Sequence, residues 1–154
     1  MEAAQNDSNN LTPEVIKKLI ESAHEAKKKS HSPYSNFRVG AAILTEEGKT
    51  IRGCNVENAS YTLGLCAERV AIFKAVSDGY TNFKALAIAC DVKDADLAPC
   101  GACRQIMHEF GGEYKVILSR TDFTYRTMTM KELLPMGFGQ QDLKRPRMNY
   151  NNNN

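Results

Sequence analysis

Two short fragments place three cysteines where helices are predicted to begin, and they constrain the fold more than any other feature of the sequence. The first is Cys66-Ala67-Glu68, and the second is Pro99-Cys100-Gly101-Ala102-Cys103. Proline is favoured in the first turn of a helix, and helical residues three positions apart share a face. The sulfur atoms of Cys100 and Cys103 should therefore point the same way from one helix start, and Cys66 should open a second helix in the same manner.

The pattern of apolar residues predicts helices that alternate with strands. The first helix begins with Thr12 as its N-cap and Pro13 at its first position, and Leu11 can pack onto Ile16. Apolar runs and turn residues predict strands over 37–44, 50–56, 83–91, 114–119 and 124–129, and further helices over 65–78, 99–110 and 130–134. This order predicts an α/β fold in which helices cover a central mixed sheet.

The length of 154 residues fits a single domain. Asparagine-rich segments lie at both ends, and we predict flexible tails over 1–10 and 140–154 around one domain at 11–139.

Charge and hydropathy exclude several classes of partner. Lys and Arg total 20 against 18 Asp and Glu, so a net charge of +2 gives no reason to expect a nucleic acid. The clusters Lys27–Lys29 and Lys144–Arg147 are interpreted as solvated charge, and His24 and His31 as solvated histidines. We find no apolar run of about 18 residues, so we expect no membrane span. The polar N-terminus does not resemble a signal peptide, and we expect a cytoplasmic protein.

Five cysteines in a reducing compartment indicate a metal or a catalytic role rather than disulfides. Helix N-termini favour thiolates, and three clustered thiolates repel one another unless a cation lies between them. Zn²⁺ is the cation that best suits sulfur ligands. Cys54, Cys90 and His108 are candidates for a fourth ligand, but none is well placed, so we predict a catalytic zinc with an open coordination position.

Glu68 supports the catalytic interpretation. It lies two residues after Cys66, too close to share the metal comfortably but within reach of a water molecule bound there. A carboxylate at that point can accept a proton and return it to a leaving group. An acidic residue in a first helical turn is ordinary by itself, and the alternative is a structural zinc module with four protein ligands and no catalysis.

From about Pro33 to Gly139 the chain resembles the small zinc-dependent cytidine deaminases. The resemblance rests on five fragments in order: Phe37 to Ala42 (FRVGAA), Gly53 to Tyr61 (GCNVENASY), Cys66 to Arg69 (CAER), Pro99 to Gln105 (PCGACRQ), and Leu133-Leu134-Pro135 with Phe138-Gly139. It implies a three-layer α/β/α fold with a mixed five-stranded sheet, and a catalytic domain over 11–139. It also implies one Zn²⁺ per subunit, bound by Cys66, Cys100 and Cys103, with Glu68 as the general acid and base.

The resemblance also implies roles for residues around the metal. Arg69 would hydrogen-bond to the ligand sulfurs. The implied substrate-binding residues are Phe37, which stacks on the base, Asn55 and Glu57, which bind the ribose, and Ala67. Three more residues would lie where subunits of a homotetramer share their active sites: Ala59, Tyr61 and Phe138.

The activity implied is deamination of cytidine and deoxycytidine to uridine and deoxyuridine with release of ammonia, in pyrimidine salvage. Two alternatives stay open at this point. One is a deaminase for another aminopyrimidine nucleoside, such as the enzymes that inactivate blasticidin S. The other is the structural zinc module.

Overall fold

The computed structural model describes residues 11–148, which form a five-stranded sheet and five α-helices. The strands are β1 (Val39–Thr45), β2 (Thr50–Cys54), β3 (Phe83–Cys90), β4 (Lys115–Ser119) and β5 (Tyr125–Thr129). The helices are α1 (Pro13–Lys27), α2 (Ala67–Ser77), α3 (Gly101–Glu109), α4 (Met130–Leu133) and α5 (Gln140–Leu143). A 3-10 turn over Tyr61–Leu63 precedes α2.

The sheet is mixed, as the sequence predicts. Its strand order is β2-β1-β3-β4-β5. β1 pairs antiparallel with both β2 and β3, β3 pairs parallel with β4, and β5 is antiparallel to β4. The crossover between the two parallel strands contains α3, so the start of that helix lies beyond the carboxyl end of β3. Ligand sites of open α/β sheets commonly lie at this end of the strands.

Helices cover both faces of the sheet, which confirms the three-layer architecture. On one face, Leu19, Ile20 and Ala23 of α1 pack against small residues of β1 and β3 such as Ala42 and Ala87. On the other face, residues of α2, α3 and α4 share a second buried cluster with the opposite side chains of the strands. Alternation along each strand assigns successive residues to the two clusters.

Two glycines allow α1 and α2 to lie unusually close to the strands. A Cβ atom on Gly40 of β1 would lie 2.1 Å from the carbonyl oxygen of Ala23 in α1. A Cβ atom on Gly53 of β2 would lie 2.4 Å from the backbone nitrogen of Ala71 in α2. Side chains cannot occupy such short distances. The missing side chain of Gly53 therefore allows the close approach of α2 to the sheet. Cys66 is the residue directly before this helix.

The predicted start of α1 is confirmed. Thr12 is the N-cap, and its side-chain oxygen accepts a hydrogen bond from the backbone nitrogen of Val15 at 3.3 Å. Leu11 and Ile16 both pack against the cluster that α1 covers.

The end of α1 corrects two sequence predictions. His24, expected to be solvated, is buried, shares a hydrogen bond of 3.1 Å with Ser119 and stacks on Phe123. Lys27, also expected to be solvated, is buried and donates to the carbonyl oxygen of Cys90 at 3.1 Å. Both residues continue the helical spacing of Ile20 and Ala23, so they lie on the face that packs on the sheet. His31, Lys28, Lys29 and Lys144–Arg147 are exposed, as predicted.

The two predicted tails extend beyond the described part of the chain. The segment 1–10 lies outside the described residues, as does 149–154. The other predicted tail begins with the helical turn α5, whose Asp142 carboxylate accepts a hydrogen bond from the backbone nitrogen of Gly139 at 2.9 Å. The flexibility of 140–154 stays a prediction. Within residues 11–148 we find no helix with the length and hydropathy needed to cross a membrane.

Candidate active site

The three cysteines of the two motifs meet at the starts of α2 and α3. Cys66 is the N-cap of α2 and Cys100 is the N-cap of α3, while Cys103 is buried in the first turn of α3. The Sγ atoms of Cys66 and Cys100 lie 3.9 Å apart, and those of Cys100 and Cys103 lie 3.3 Å apart. All three sulfur atoms lie within 4.8 Å of one another, and in the described part of the chain they form the one such group of potential metal ligands.

None of the three candidates for a fourth ligand joins this group. Cys90 is buried at the end of β3, where it lines a cavity. Cys54 points its thiol at the carbonyl oxygen of Lys29, at 3.3 Å. His108 lies further along α3, next to Gly137 and Gly139. The arrangement provides three protein ligands, which is the number typical of a catalytic zinc.

The electrostatics of the sulfur group favour a bound cation. The pKa of Cys66 is lowered to about 5, because Cys103 donates a hydrogen bond to its sulfur and Arg69 adds a second donor. The pKa of Cys103 is raised, because it is the partner that keeps its proton and because it is buried. Without a cation the group therefore holds a thiolate and a thiol rather than three thiolates. A divalent ion with a preference for sulfur removes the repulsion between neighbouring thiolates, so the donor set fits Zn²⁺.

Arg69 contacts the sulfur of Cys66, and its role toward a bound metal stays a prediction. Its Nη2 atom lies 3.6 Å from Cys66 Sγ and 3.4 Å from the carbonyl oxygen of Gly64. The negative sulfur of Cys66 raises the pKa of Arg69. The guanidinium therefore withdraws charge from the Cys66 sulfur and holds the loop that precedes α2.

Glu68 has the properties of a general acid and base. It is only 4% exposed, and its Oε2 atom is buried with no hydrogen-bond partner in the described protein. Burial raises the pKa of Glu68 to about 7, and the charge of Cys66 contributes in the same direction. A buried carboxylate with one oxygen lacking a hydrogen-bond partner costs stability, so its presence beside the sulfur group points to a function.

A cavity of about 600 Å³ joins the sulfur group to the other predicted site residues. Cys66, Glu68, Arg69 and Cys100 line one part of it. The remaining lining includes Phe37, Asn55, Glu57 and Tyr61, together with apolar residues that we did not predict, such as Leu97 and Ile88. This volume is within the range of pockets for small molecules.

Asn55 shapes the wall of the cavity through hydrogen bonds. Its Oδ1 atom accepts from the Ser30 hydroxyl at 2.5 Å and from the backbone nitrogen of Val39 at 2.8 Å. Its Nδ2 atom donates to the carbonyl oxygen of Phe37 at 2.8 Å. One of the two amide hydrogens of Asn55 is left for a ligand.

Glu57 holds the neighbouring loop in a similar way. Its Oε2 atom accepts from the backbone nitrogens of Tyr34 at 2.9 Å and Ser35 at 3.2 Å, and its Oε1 atom accepts from the Ser35 hydroxyl. These hydrogen bonds, led by that of Ser35, lower the pKa of Glu57. Ser35 also lines the cavity beside Glu57 and was not predicted as a site residue. Its place in the loop before the Phe37 fragment was the available signal.

Four predicted residues do not line this cavity. Ala67 and Cys103 are fully buried and do not line the cavity, while Ala59 is exposed. Phe138 is 58% exposed and lies outside the lining of this cavity. The roles of Ala59, Ala67 and Phe138 in substrate binding stay predictions, as do the sharing of sites and the homotetramer.

Comparisons with known proteins agree with this geometry. Residues 13–119 match the family described as the cytidine and deoxycytidylate deaminase zinc-binding region. A probable cytidine deaminase of Dictyostelium discoideum is 48% identical over 134 residues, which are 86% of this chain and 90% of that protein. A cytidine deaminase of Sporosarcina psychrophila is 45% identical over 83% of this chain and 94% of its own length.

A solved structure shares the fold. The crystal structure of cytidine deaminase from Burkholderia pseudomallei superposes with a TM-score of 0.77 at 45% sequence identity, covering 83% of this chain and 100% of that one. The family match covers both cysteine fragments and Glu68, which the structure brings together at one end of a cavity. On this evidence the chain belongs to the zinc-binding cytidine and deoxycytidylate deaminase family.

Proposed function

We propose that the chain catalyses the hydrolytic deamination of cytidine and deoxycytidine, which yields uridine or deoxyuridine and ammonia, in pyrimidine salvage. The observation that carries this proposal is the buried carboxylate of Glu68, whose Oε2 atom has no hydrogen-bond partner in the described protein, beside three clustered cysteines in a cavity of about 600 Å³. The names of the relatives at 45–48% identity support the same reaction.

The metal-binding residues and Glu68 divide the chemistry between them. Cys66, Cys100 and Cys103 would hold Zn²⁺, which supplies a Lewis acid and makes water a better nucleophile. Overall, the oxygen of water replaces the amino group at C4, and two protons leave the water. Glu68 transfers one proton to the ring N3 and the second to the departing amino group. Its pKa of about 7 suits it to accept and donate near neutral pH.

The other part of the cavity would bind the sugar and the base. A carboxylate offers about four acceptor positions, and Glu57 uses three of them on Tyr34 and Ser35. One position is left to accept a hydrogen bond from a ribose hydroxyl, and the free amide hydrogen of Asn55 can donate to a hydroxyl oxygen. Phe37 lines the same cavity and offers its ring to the pyrimidine.

We further propose a homotetramer in which neighbouring subunits complete each other's active sites. Phe138 and Tyr61 are 58% and 77% exposed, so both rings are accessible to a neighbouring subunit. A net charge of +2 and the reduced cysteines fit a cytoplasmic enzyme of free nucleosides rather than a nucleic-acid editor. The tetramer would be measured by sedimentation equilibrium.

Ultraviolet absorbance tests the activity, because cytidine and uridine absorb differently. The zinc-loaded protein should convert cytidine and deoxycytidine with the release of one ammonia for each nucleoside. Blasticidin S in a parallel reaction tests the related substrate class. Absence of turnover with all three compounds, in protein that contains one zinc per subunit, would favour a structural zinc module and overturn the proposal.

A further inference from the structure

One face of α3 is covered by the segment that carries Phe138. The Nε2 atom of Gln105 donates to the carbonyl oxygen of Phe138 at 2.8 Å. One position earlier, Arg104 donates through Nη1 to the carbonyl oxygen of Leu133 at 3.0 Å. At the end of the helix, the Nε2 atom of Gln140 donates to the Glu109 carboxylate at 2.8 Å. The 133–140 segment therefore follows α3 along much of its length.

His108 packs between two glycines that flank Phe138. A Cβ atom on Gly137 would lie 3.1 Å from His108 Cδ2, and a Cβ atom on Gly139 would lie 3.2 Å from His108 Nε2. The imidazole therefore lies directly against this backbone, where a side chain at either glycine would have to displace it. The Nδ1 atom of His108 is buried without a hydrogen-bond partner in the described protein, so no hydrogen bond through this nitrogen holds the ring there.

These contacts hold the Phe138 backbone while its ring stays more than half exposed. The helix behind them is rigidly placed, because Cys103 and Met107 on its opposite face are fully buried. Its N-cap and first turn carry two of the three clustered cysteines, Cys100 and Cys103. A ring whose backbone is held in place before it meets its partner loses less conformational entropy on contact.

We propose that Gln105 and His108 are positioning residues that fix the backbone at 137–139 and so present Phe138 to the active site of a neighbouring subunit. This inference rests on the proposed function and on the shared active site. In this proposal α3 has two roles. The cysteines at its start bind the metal of their own subunit, and its later turns hold Phe138, which contributes to the active site of the neighbouring subunit.

A double-mutant cycle separates positioning from a general structural effect. Gln105→Ala and Gly139→Ala are each made in the wild type and in Phe138→Ala, and kcat and KM for cytidine are measured. Each change should lower kcat/KM by about tenfold in the wild type and by less than about twofold in Phe138→Ala, because contacting residues that act together are not additive. Gln141→Ala, a change at an exposed glutamine in α5, is the matched control and should leave kcat/KM unchanged.

A second comparison tests the packing of His108. If the added methyl group of Gly139→Ala acts by colliding with the imidazole, then His108→Ala with Gly139→Ala should be no less active than His108→Ala alone. Zinc content should stay at the wild-type value in every variant. Amide hydrogen exchange over 134–143 should quicken in Gln105→Ala, which checks the same contact without an activity assay.

The outcomes separate the proposed function from the positioning of Phe138. A zinc-loaded wild type that does not deaminate cytidine overturns the proposed function, and this inference with it. An active wild type in which Phe138→Ala keeps full activity, or in which the losses are equal in both backgrounds, overturns the inference and leaves the proposed function standing.

Discussion

Lys27 Nζ lies 2.9 Å from Asp91 Oδ1, beside the cavity, and Lys27 is almost completely buried. Asp91 also accepts two hydrogen bonds from Arg38, from Nε at 2.8 Å and from Nη2 at 3.2 Å. Arg38 follows Phe37, and Asp91 follows Cys90; both Phe37 and Cys90 line the cavity. The Asp91 carboxylate, at the end of β3, thus contacts both Lys27 of α1 and Arg38, the residue next to Phe37.

Asp91→Asn should destabilise the protein, because the buried ammonium group of Lys27 would lose its counter-charge. We expect a loss of about 1–3 kcal/mol in the free energy of unfolding at neutral pH. Urea denaturation followed by circular dichroism measures it. Asp78→Asn, at an exposed position at the end of α2, is the control and should change stability by less than about 0.5 kcal/mol. Equal effects of the two substitutions would contradict this account.

The same carboxylate gives a pH dependence of stability. The hydrogen bonds from Arg38, followed by the contact with Lys27, lower the pKa of Asp91 in the folded protein. A lowered pKa means that the unfolded state binds the proton more tightly, so this stabilisation is present above about pH 4 and is lost as the pH falls through the folded value. The stability difference between wild type and Asp91→Asn should therefore shrink below about pH 4. A difference that stays constant from neutral to acid pH would rule out this carboxylate as its source.

The sequence predicted the elements well because their signals are local. Thr12 and Pro13 mark the start of α1, and the predicted strands agree with the observed ones to within about two residues. The cysteine spacing likewise predicted the sulfur group, since helix geometry fixes the direction of Cys100 and Cys103.

The remaining features depend on which elements meet, and local patterns do not contain that information. The burial of His24 and Lys27 depends on how far α1 extends over the sheet. The contact between Gln105 and Phe138 joins residues that are 33 positions apart. The turn α5 was missed because four residues between polar neighbours carry no periodic pattern.

Glu68→Gln should abolish most turnover while the metal stays bound. The amide keeps the size of the side chain but cannot accept a proton, so we expect kcat to fall by about 100- to 10,000-fold. Zinc content by elemental analysis and turnover of cytidine are measured on the same sample. Glu47→Gln, in the exposed turn between β1 and β2, is the control and should keep full activity. Loss of zinc from Glu68→Gln would indicate that Glu68 acts as a ligand.

Cys100→Ser should release most of the zinc, and Cys54→Ser should not. Cys100 lies within 4.8 Å of the other two sulfurs, whereas Cys54 contacts the carbonyl oxygen of Lys29. Because metal binding contributes to folding, Cys100→Ser should also lower the melting temperature, and added chelator should have little further effect on it. In the wild type, the chelator should lower the melting temperature. The interpretation fails if both serine variants keep one zinc per subunit.

Gly53→Ala should destabilise the protein and disturb the metal site together, because Gly53 sets the distance between β2 and α2. The added methyl carbon would lie 2.4 Å from the backbone nitrogen of Ala71 and 2.6 Å from the carbonyl oxygen of Ala67, and backbone atoms cannot rotate away. We expect a loss of more than about 3 kcal/mol, at the upper end of the cost of overpacking. Ala67 follows Cys66, so moving α2 outward also moves a sulfur ligand and Glu68. Gly112→Ala, whose added carbon would meet only a flexible lysine side chain at 4.0 Å, is the control. Denaturation midpoints and zinc retention after dialysis measure the two effects, and a Gly53→Ala protein as stable as Gly112→Ala would show that α2 can shift without cost.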